Sequence, residues 1–523
     1  MAIYIGFDSS TQGLTAVAID VRGGVREIVF AEVLNFDAGW PEYGTHHGVV
    51  RSDDPLVALA PPLVWVDALE RMMGELARGV DLSSVRAIAG SAQQHGSVYL
   101  ARGATAMLGS LDPGRALADQ LRPLLSRAMS PIWRDASTTT ECREIAAAMG
   151  GAQAVASLTG SRPFERFTGP QVRRFATREP DAYARTERIH LVSSFLCSLL
   201  VGASAPLDPG DASGMNLMDL AARQWSDAAL DATAPGLRDR LPPIVPSDRI
   251  VGRLAPYWRQ RYGWPDVAVT VWSGDNPCSL IGTGLVRPGT VAVSLGTSDT
   301  VFGVMAAPSV DTSGTGHVFG APTGEYMGLT CFQNGSLARE RIRDLYGLDW
   351  DGFSRALAST PAGNRGRVLL PWFEPEITPL VLTPGVRRFD LAPDDVGGNV
   401  RGVVEGQMLA LARHSSWMGV EIATIRATGG AAVNRDLLTV MADVFDADVY
   451  QCDTRNSAAL GAALRAWHAD AGASRRPRGW DDIVRGFTDP LASSRVVPDP
   501  SRVAVYRTLR ARHAACELAA LGA

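Results

Sequence analysis

"AIYIGFDSSTQG", residues 2–13, and "GTVAVSLGTSDT", residues 289–300, repeat one pattern almost three hundred residues apart. In each, a short β-branched strand runs into glycine, small hydroxyl residues and an acidic or amide residue, and a second strand follows. The first copy predicts strands over 3–7, 14–20 and 25–33, with "DVRGG" as a hairpin turn. The second predicts strands over 290–295, 299–305 and 325–332. Downstream of each, strands and helices alternate. The first run has a helical stretch at 55–79, an apolar strand at 85–91 and a buried strand at 267–275 that opens onto a helix. The second has helices at 335–346, 401–419, 434–445 and 457–469, and a strand at 422–430 that ends in a glycine pair. The expectation is two α/β domains with the same opening hairpin, 1–285 and 286–523, divided at "GLVRPG" (284–289). Residues 103–128 read as an inserted surface segment and 471–490 as an exposed loop. Two such hairpins suit the facing jaws of one cleft that grips a phosphate chain from both sides, or they are unrelated hairpins of a common type.

Composition narrows the chemistry. At 523 residues, 46% hydrophobic and 20% charged, the chain is a well-packed protein of two or three domains. A net charge of −5 gives no basic footprint for nucleic acid or an anionic membrane. No apolar stretch approaches the ~18 residues of a membrane span, and Asp8 falls inside what would be a leader's apolar core. The six scattered cysteines form no CxxC pair, which points to reduced thiols in the cytoplasm. All 50 basic residues are arginine. Without lysine there is no Walker-A loop, no protein-kinase strand lysine and no Schiff-base or pyridoxal chemistry. Phosphate must be handled by backbone amides, hydroxyls, arginine and a metal.

The candidate residues follow from position. Asp8 ends a buried strand and precedes Ser9, Ser10, Thr11 and Gln12. A carboxylate there suits Mg²⁺, which takes one or two carboxylates plus phosphate oxygens, and also suits a turn cap. In the second copy Gly296, Thr297 and Ser298 offer amides and hydroxyls to phosphate, while Asp299 has no evident ligand role. Asp275 follows "VAVTVWSG" and precedes Asn276-Pro277, at a strand's C-terminal end over a helix start, where open α/β sheets place ligands. It reads as a general base or a helix N-cap. In "SAQQHGSVYL", Gln93, Gln94, His95 and Gly96 form a turn whose amides and imidazole suit a polyol. Gly429, Gly430 and Ala431 let backbone approach a nucleotide, and Asn434 starts the next helix.

"GFDSSTQ", "QQHG", "SGDNP", "SLGTSDT" and "ATGGAAVNRD" occur in the order found in the FGGY carbohydrate kinases, and the chain resembles that family from residue 3 to about 468. The resemblance implies two ribonuclease-H-like domains of the actin-like ATPase fold with an interdomain cleft. "TGSRPFERFTG", "LVSSF" and "SGMNL" are similar to the longer, animal-type form of its xylulokinase branch. It implies Asp275 as catalytic base and Asp8 as a catalytic, metal-holding carboxylate. Sugar contacts fall to His95, Arg166, Asp275, Asn276 and Gln94, with Arg134 and Asp135 bordering the pocket. Nucleotide contacts fall to Ser10, Thr11, Gln12, Gly296, Thr297, Ser298, Trp350, Gly429, Gly430, Ala431 and Asn434. The activity implied is ATP- and Mg²⁺-dependent phosphorylation of D-xylulose to the 5-phosphate by a cytoplasmic monomer or homodimer. A ribulose, glycerol or gluconate kinase, or a non-catalytic sugar sensor of the same fold, stands as the alternative. Gln94, where the common bacterial enzymes carry Met, and the 103–128 segment set the chain apart from the shorter forms.

Overall fold

The structure is a computed structural model that describes residues 2–452, 455–474 and 477–522. The chain divides into two compact units. Unit 1 holds residues 1–286, 318–326 and 455–488, and unit 2 holds 287–317, 327–454 and 489–523. Two segments from the second half of the chain thus complete the first unit.

In unit 1, β1 (Ile3–Ser9) pairs antiparallel with β2 (Gly13–Asp20), and β2 with β3 (Glu27–Asn35). On its other side β1 runs parallel to β4 (Val85–Ala92). Beyond β4 lie β5 (Ile250–Arg253) and β6 (Ala268–Thr270), in the sheet order β5–β6–β4–β1–β2–β3. A two-residue β7 (Ser273–Gly274) also pairs parallel with β4. Unit 2 repeats the scheme. There β8 (Thr290–Leu295) pairs antiparallel with β9 (Asp299–Met305) and parallel with β11 (Thr424–Thr428). The six strands lie in the order Gly316–Gly320, β10 (Tyr326–Phe332), β9, β8, β11, β12 (Asp448–Gln451). In both sheets the opening strand lies between its antiparallel hairpin partner and a parallel strand from later in the chain. This is the ribonuclease-H-like arrangement, and it explains the repeated strand–turn–strand pattern of residues 2–13 and 289–300.

Alternation along β1 sorts its side chains between two cores. Ile3, Ile5 and Phe7 enter one with the helices Pro62–Gly79 and Val192–Val201. Tyr4 enters the other, with Ala459, Ala463, Leu464 and Trp467 of the helix Ser457–Gly472. That helix lies so close to the sheet that backbone meets backbone. A Cβ on Gly6 would stand 2.0 Å from the Ala459 carbonyl oxygen, and one on Gly461 would stand 1.9 Å from that of Cys278.

Several expectations change. The strand expected over 267–275 is broken into β6 and β7. The helix expected over 401–419 runs Val396–His414, because Asp395 caps it by accepting from the Gly398 N–H at 2.8 Å. The 103–128 segment is no mere surface insertion: it forms short helices whose Leu108, Leu117 and Leu121 are buried in the main core. The stretch 471–490 contains a helix, Trp480–Val484, with Ile483 buried; Arg475 and Arg476 lie outside the described residues. Strand β12 and the helix Pro500–Leu521 were not foreseen.

The backbone contact makes a clean prediction from two glycines of one helix. Gly461→Ala should cost about 3 kcal/mol or more, since a carbonyl cannot step aside as a side chain can. Gly472→Ala, with nothing within 4 Å of its new Cβ, should be neutral or stabilising by up to about 1 kcal/mol. Urea unfolding of both variants measures the contrast.

Candidate functional site

The acidic end of unit 1 is assembled by strand register. Asp8 on β1 stands opposite Ser91 on β4, and Ser91 opposite Ser273 on β7. The Ser91 hydroxyl donates to Asp8 Oδ1 at 2.6 Å. Two residues past Ser273, Asp275 opens the helix Asp275–Gly282. Both carboxyl groups are half-buried at the C-terminal ends of parallel strands. Burial first, and the charge of Asp8 second, push the Asp275 carboxyl up to about 7. Burial also raises Asp8, against the bond from Ser91.

Hydrogen bonds fix which atoms remain for a ligand. The Asn276 backbone N–H and Nδ2 both donate to Asp275 Oδ1, at 2.8 and 3.1 Å. Oδ2 is therefore the Asp275 oxygen that Asn276 does not engage. The other Nδ2 proton goes to Gln94 Oε1 at 2.9 Å, which leaves Asn276 its Oδ1, an acceptor. Gln94 spends its own Nε2 on the Gly210 carbonyl at 3.3 Å. Its amide is thus engaged on both atoms, and it braces Asn276.

His95 sits at φ 71°, a left-handed conformation rare for a side chain of its size. Three contacts hold it there. Its Nδ1 lies 2.7 Å from the Gly214 carbonyl, which can only accept, so Nδ1 carries the proton and Nε2 is an acceptor. Its ring stacks on Phe167 with centroids 4.3 Å apart, and its carbonyl accepts from Thr168 Oγ1 at 3.0 Å. Burial, then the charge of Arg166, pushes the imidazole down to about 3, so it stays neutral. Arg166 is half-buried, with its guanidinium 5.5 Å from the centre of the Phe164 ring.

In the loop after β1, Ser10 turns its N–H and hydroxyl back to the Gly13 carbonyl, at 2.9 and 3.1 Å. Thr11 Oγ1 accepts from Trp133 Nε1 at 2.7 Å, and Gln12 Oε1 lies 3.4 Å from His47 Nδ1. Arg134 is exposed. The Asp135 carboxylate is consumed by the Ala58 and Ser137 N–H groups and Gln171 Nε2, which makes it a brace for the surrounding loop.

Beneath these residues lies a network that sequence reading missed. The fully buried Arg465, from the helix Ser457–Gly472, donates to the Ser247 and Val271 carbonyls at 2.9 and 3.0 Å and pairs with Asp208 at 3.5 Å. Asp208 in turn accepts from Ser273 Oγ and Ser247 Oγ, at 2.9 and 2.8 Å. Asp211 is also buried, accepts from Ser193 Oγ, and is held well above the usual carboxylate range by burial. The one signal in the sequence was a lone arginine inside the small apolar run "ALGAALRAW".

Unit 2 carries a cavity of about 530 Å³ lined by Gly296, Thr297, Trp350, Gly430, Ala431 and Asn434 among others. Ser298 and Gly429 adjoin these residues in sequence. Gly429 has φ 87°, and a Cβ there would meet the Leu295 carbonyl oxygen at 2.5 Å. Trp350 opens the helix Trp350–Ser359 and is 43% exposed, with the Arg343 guanidinium 4.6 Å from its ring centre. Asn434 caps the helix Arg435–Phe445 by accepting from the Leu437 N–H at 3.0 Å, and donates to Ser354 Oγ at 2.8 Å. Its amide is therefore fixed, with much of its bonding capacity spent.

One unit thus offers a carboxylate of raised pKa among oriented polar groups, and the other an open pocket with glycine-lined backbone. The family models of the FGGY carbohydrate kinases match the chain in both parts, the N-terminal domain over residues 113–282 and the C-terminal domain over 291–469. Xylulose kinase of Rattus norvegicus is 43% identical over 528 residues, covering 98% of this chain and 96% of that protein. Xylulose kinase 2 of Arabidopsis thaliana is 41% identical, covering 89% of this chain and 87% of its own. Among solved structures, ligand-bound xylulose kinase from Lactobacillus acidophilus has a TM-score of 0.80 at 19% identity, covering 100% of this chain and 99% of that one. Plasmodium falciparum glycerol kinase with ADP has 0.75 at 16% identity, covering 98% of each chain. The chain belongs to the FGGY family of carbohydrate kinases.

Proposed function

We propose that this carbohydrate kinase transfers the γ-phosphoryl group of ATP to D-xylulose and forms D-xylulose 5-phosphate. The observation that carries the chemistry is Asp275, a strand-end carboxyl pushed up to about 7 with one oxygen not engaged by Asn276. The sugar assignment leans on the relatives named xylulose kinase. Asp275 Oδ2 takes the proton of the attacking sugar hydroxyl as the new O–P bond forms and the bond to ADP breaks. In a loose transition state that proton leaves late, so a carboxylate is base enough. Asn276 Oδ1 and His95 Nε2 accept from further hydroxyls, and Arg166 donates. Gln94 acts through Asn276.

Asp8 fits Mg²⁺. It is a half-buried carboxylate steadied through one oxygen by Ser91, beside a second acidic group. When bound there, the ion would neutralise charge on the phosphate oxygens. Ser10, Thr11 and Gln12, with Gly296, Thr297 and Ser298, approach the phosphates. Trp350, Gly429, Gly430, Ala431 and Asn434 take the adenosine side.

Asp275→Asn keeps volume and the bonds from Asn276 but accepts no proton. D-xylulose affinity by calorimetry should survive, while turnover falls roughly 10²–10⁴-fold. Activity close to the unaltered enzyme would remove Asp275 from the mechanism. The same variant tests the environment through stability. A folded-state pKa raised from 3.8 towards about 7 means the native protein binds more protons than the unfolded chain between those values. Its stability contribution is full below about pH 4 and lost as pH rises through 7. Asp275→Asn, blind to that titration, should gain Tm on the parent protein between pH 4 and 8; a constant difference would contradict the raised pKa.

Specificity comes from acceptors and donors left unpaired by the wrong sugar, each costing about 1–3 kcal/mol, or ten- to a hundred-fold. D-xylulose should exceed D-ribulose and glycerol in kcat/KM by at least about that margin. His95→Ala should narrow the gap between the two ketoses and not merely slow both. A better rate with ribulose or glycerol would overturn the sugar assignment and leave the kinase family intact.

A further inference from the structure

The loop Gly296–Thr297–Ser298 joins β8 to β9, with Leu295 and Asp299 as the last facing pair. One helix, Ser336–Leu345, holds it at both ends. At the start of the loop, the Ser336 N–H donates to the Gly296 carbonyl at 2.8 Å. At its end, Arg339 takes the Asp299 carboxylate in a fork, Nη1 to Oδ2 at 2.9 Å and Nη2 to Oδ1 at 3.1 Å. Arg339 is 1% exposed and Asp299 also 1%.

The remaining Nη protons are committed too, Nη1 to Gln407 Oε1 at 2.8 Å and Nη2 to Ser336 Oγ at 3.0 Å. Gln407 uses its own Nε2 on the Asn334 and Gly335 carbonyls, at 2.7 and 2.8 Å. The turn before the helix is therefore bound into the same network. The fit leaves no slack: a Cβ on Gly335 would stand 2.7 Å from both Asp299 Oδ1 and the Thr297 carbonyl oxygen. Arg339 lines the 530 Å³ cavity, yet only its Nε–H lacks a partner among the described residues. Two of its five donors go to Asp299 at the loop's end and two to Gln407 and Ser336, which brace the turn before the helix. An arginine so committed cannot be a free phosphate clamp.

We infer that the Asp299–Arg339 pair, braced by Gln407, is a positioning device that fixes the Gly296–Ser298 loop for nucleotide binding. The inference rests on the reading of this loop as a phosphate-binding loop. It assigns Asp299, which has no ligand role of its own, a part in nucleotide affinity: its carboxylate holds the loop backbone where the amides meet phosphate. A bidentate fork sets position as well as charge, which a lysine at 339 could not do.

The test is titration of the full chain with MgADP, without ketose, followed by kinetics. Asp299→Asn and Arg339→Gln should each weaken ADP binding about 10- to 100-fold, the scale on which small misplacements act. KM for ATP should rise in step, and D-xylulose affinity should not move. Each single variant leaves a buried charge unpaired, so the double variant Asp299→Asn/Arg339→Gln, with both charges removed, guards against misfolding and should show the same weakening. Unaltered ADP affinity in a folded variant would overturn the inference, and so would an equal loss of ketose affinity, the mark of general damage. A parent protein that binds ADP but turns over no sugar would defeat the proposed function and leave the positioning role standing.

Discussion

The acidic pair of unit 1 depends on the close seating of the helix Ser457–Gly472 against β1 and the helix Asp275–Gly282. Glycine at 6, 282 and 461 removes the side chains that would separate them: a Cβ on Gly282 would lie 1.8 Å from the Ser457 carbonyl oxygen. Overlaps of that size with backbone have no small remedy. The contact fixes β1, which carries Asp8 one residue from its end, and the helix that begins at Asp275 with one clamp. Arg465 extends the clamp downwards, because the same helix delivers a buried guanidinium to the Val271 carbonyl and to Asp208, which holds Ser273. The distance between two carboxylates is thereby set by packing and hydrogen bonds far along the chain.

Arginine supplies every Lys/Arg-type charge, and its two most deeply buried examples among the described residues are held by protein groups. Arg465 and Arg339 are each 1% exposed, and each donates to protein oxygens that include carbonyls and a carboxylate. A buried ion pair contributes little net stability against an apolar replacement, because desolvation offsets the attraction, whereas breaking one costs about 3–5 kcal/mol. That asymmetry favours geometry over stability as the use of both pairs. Each lies just behind a candidate site, under Asp275 in one unit and under the Gly296–Ser298 loop in the other.

The fold was legible because its signal is local and repeated. Both opening hairpins, the strand Val85–Ala92 and the helix Ser457–Gly472 stand out by alternation or helical spacing. Strand β12 was missed because its four residues, Asp448–Gln451, alternate too briefly to register. The helix Pro500–Leu521 was missed because arginines and alanines surround its few buried residues, among them Val503, Tyr506 and Leu509. The 103–128 segment misled because its leucines are spread among charged and small residues and only the tertiary core reveals their burial. In the site, the identities of Asp275, Asn276 and His95 were readable, but their hydrogen-bond roles were not. Gln94 reads in sequence as a sugar contact; nothing in the sequence signals that its amide oxygen accepts from Asn276 and its amide nitrogen donates to Gly210.

The two hairpins share a topology and differ in where their acid sits. In the first, Asp8 lies on the strand before the loop, its charge disfavoured by burial and supported by the Ser91 hydroxyl, and so poised to meet a cation. In the second, Asp299 lies on the strand after the loop and is matched oxygen for oxygen by Arg339. An acid left without a counter-cation beside anionic phosphate would repel it unless a metal intervened. An acid already neutralised can stand behind a phosphate and repel nothing. The first copy of the pattern therefore suits an anion met through a metal, and the second suits an anion met by backbone amides alone.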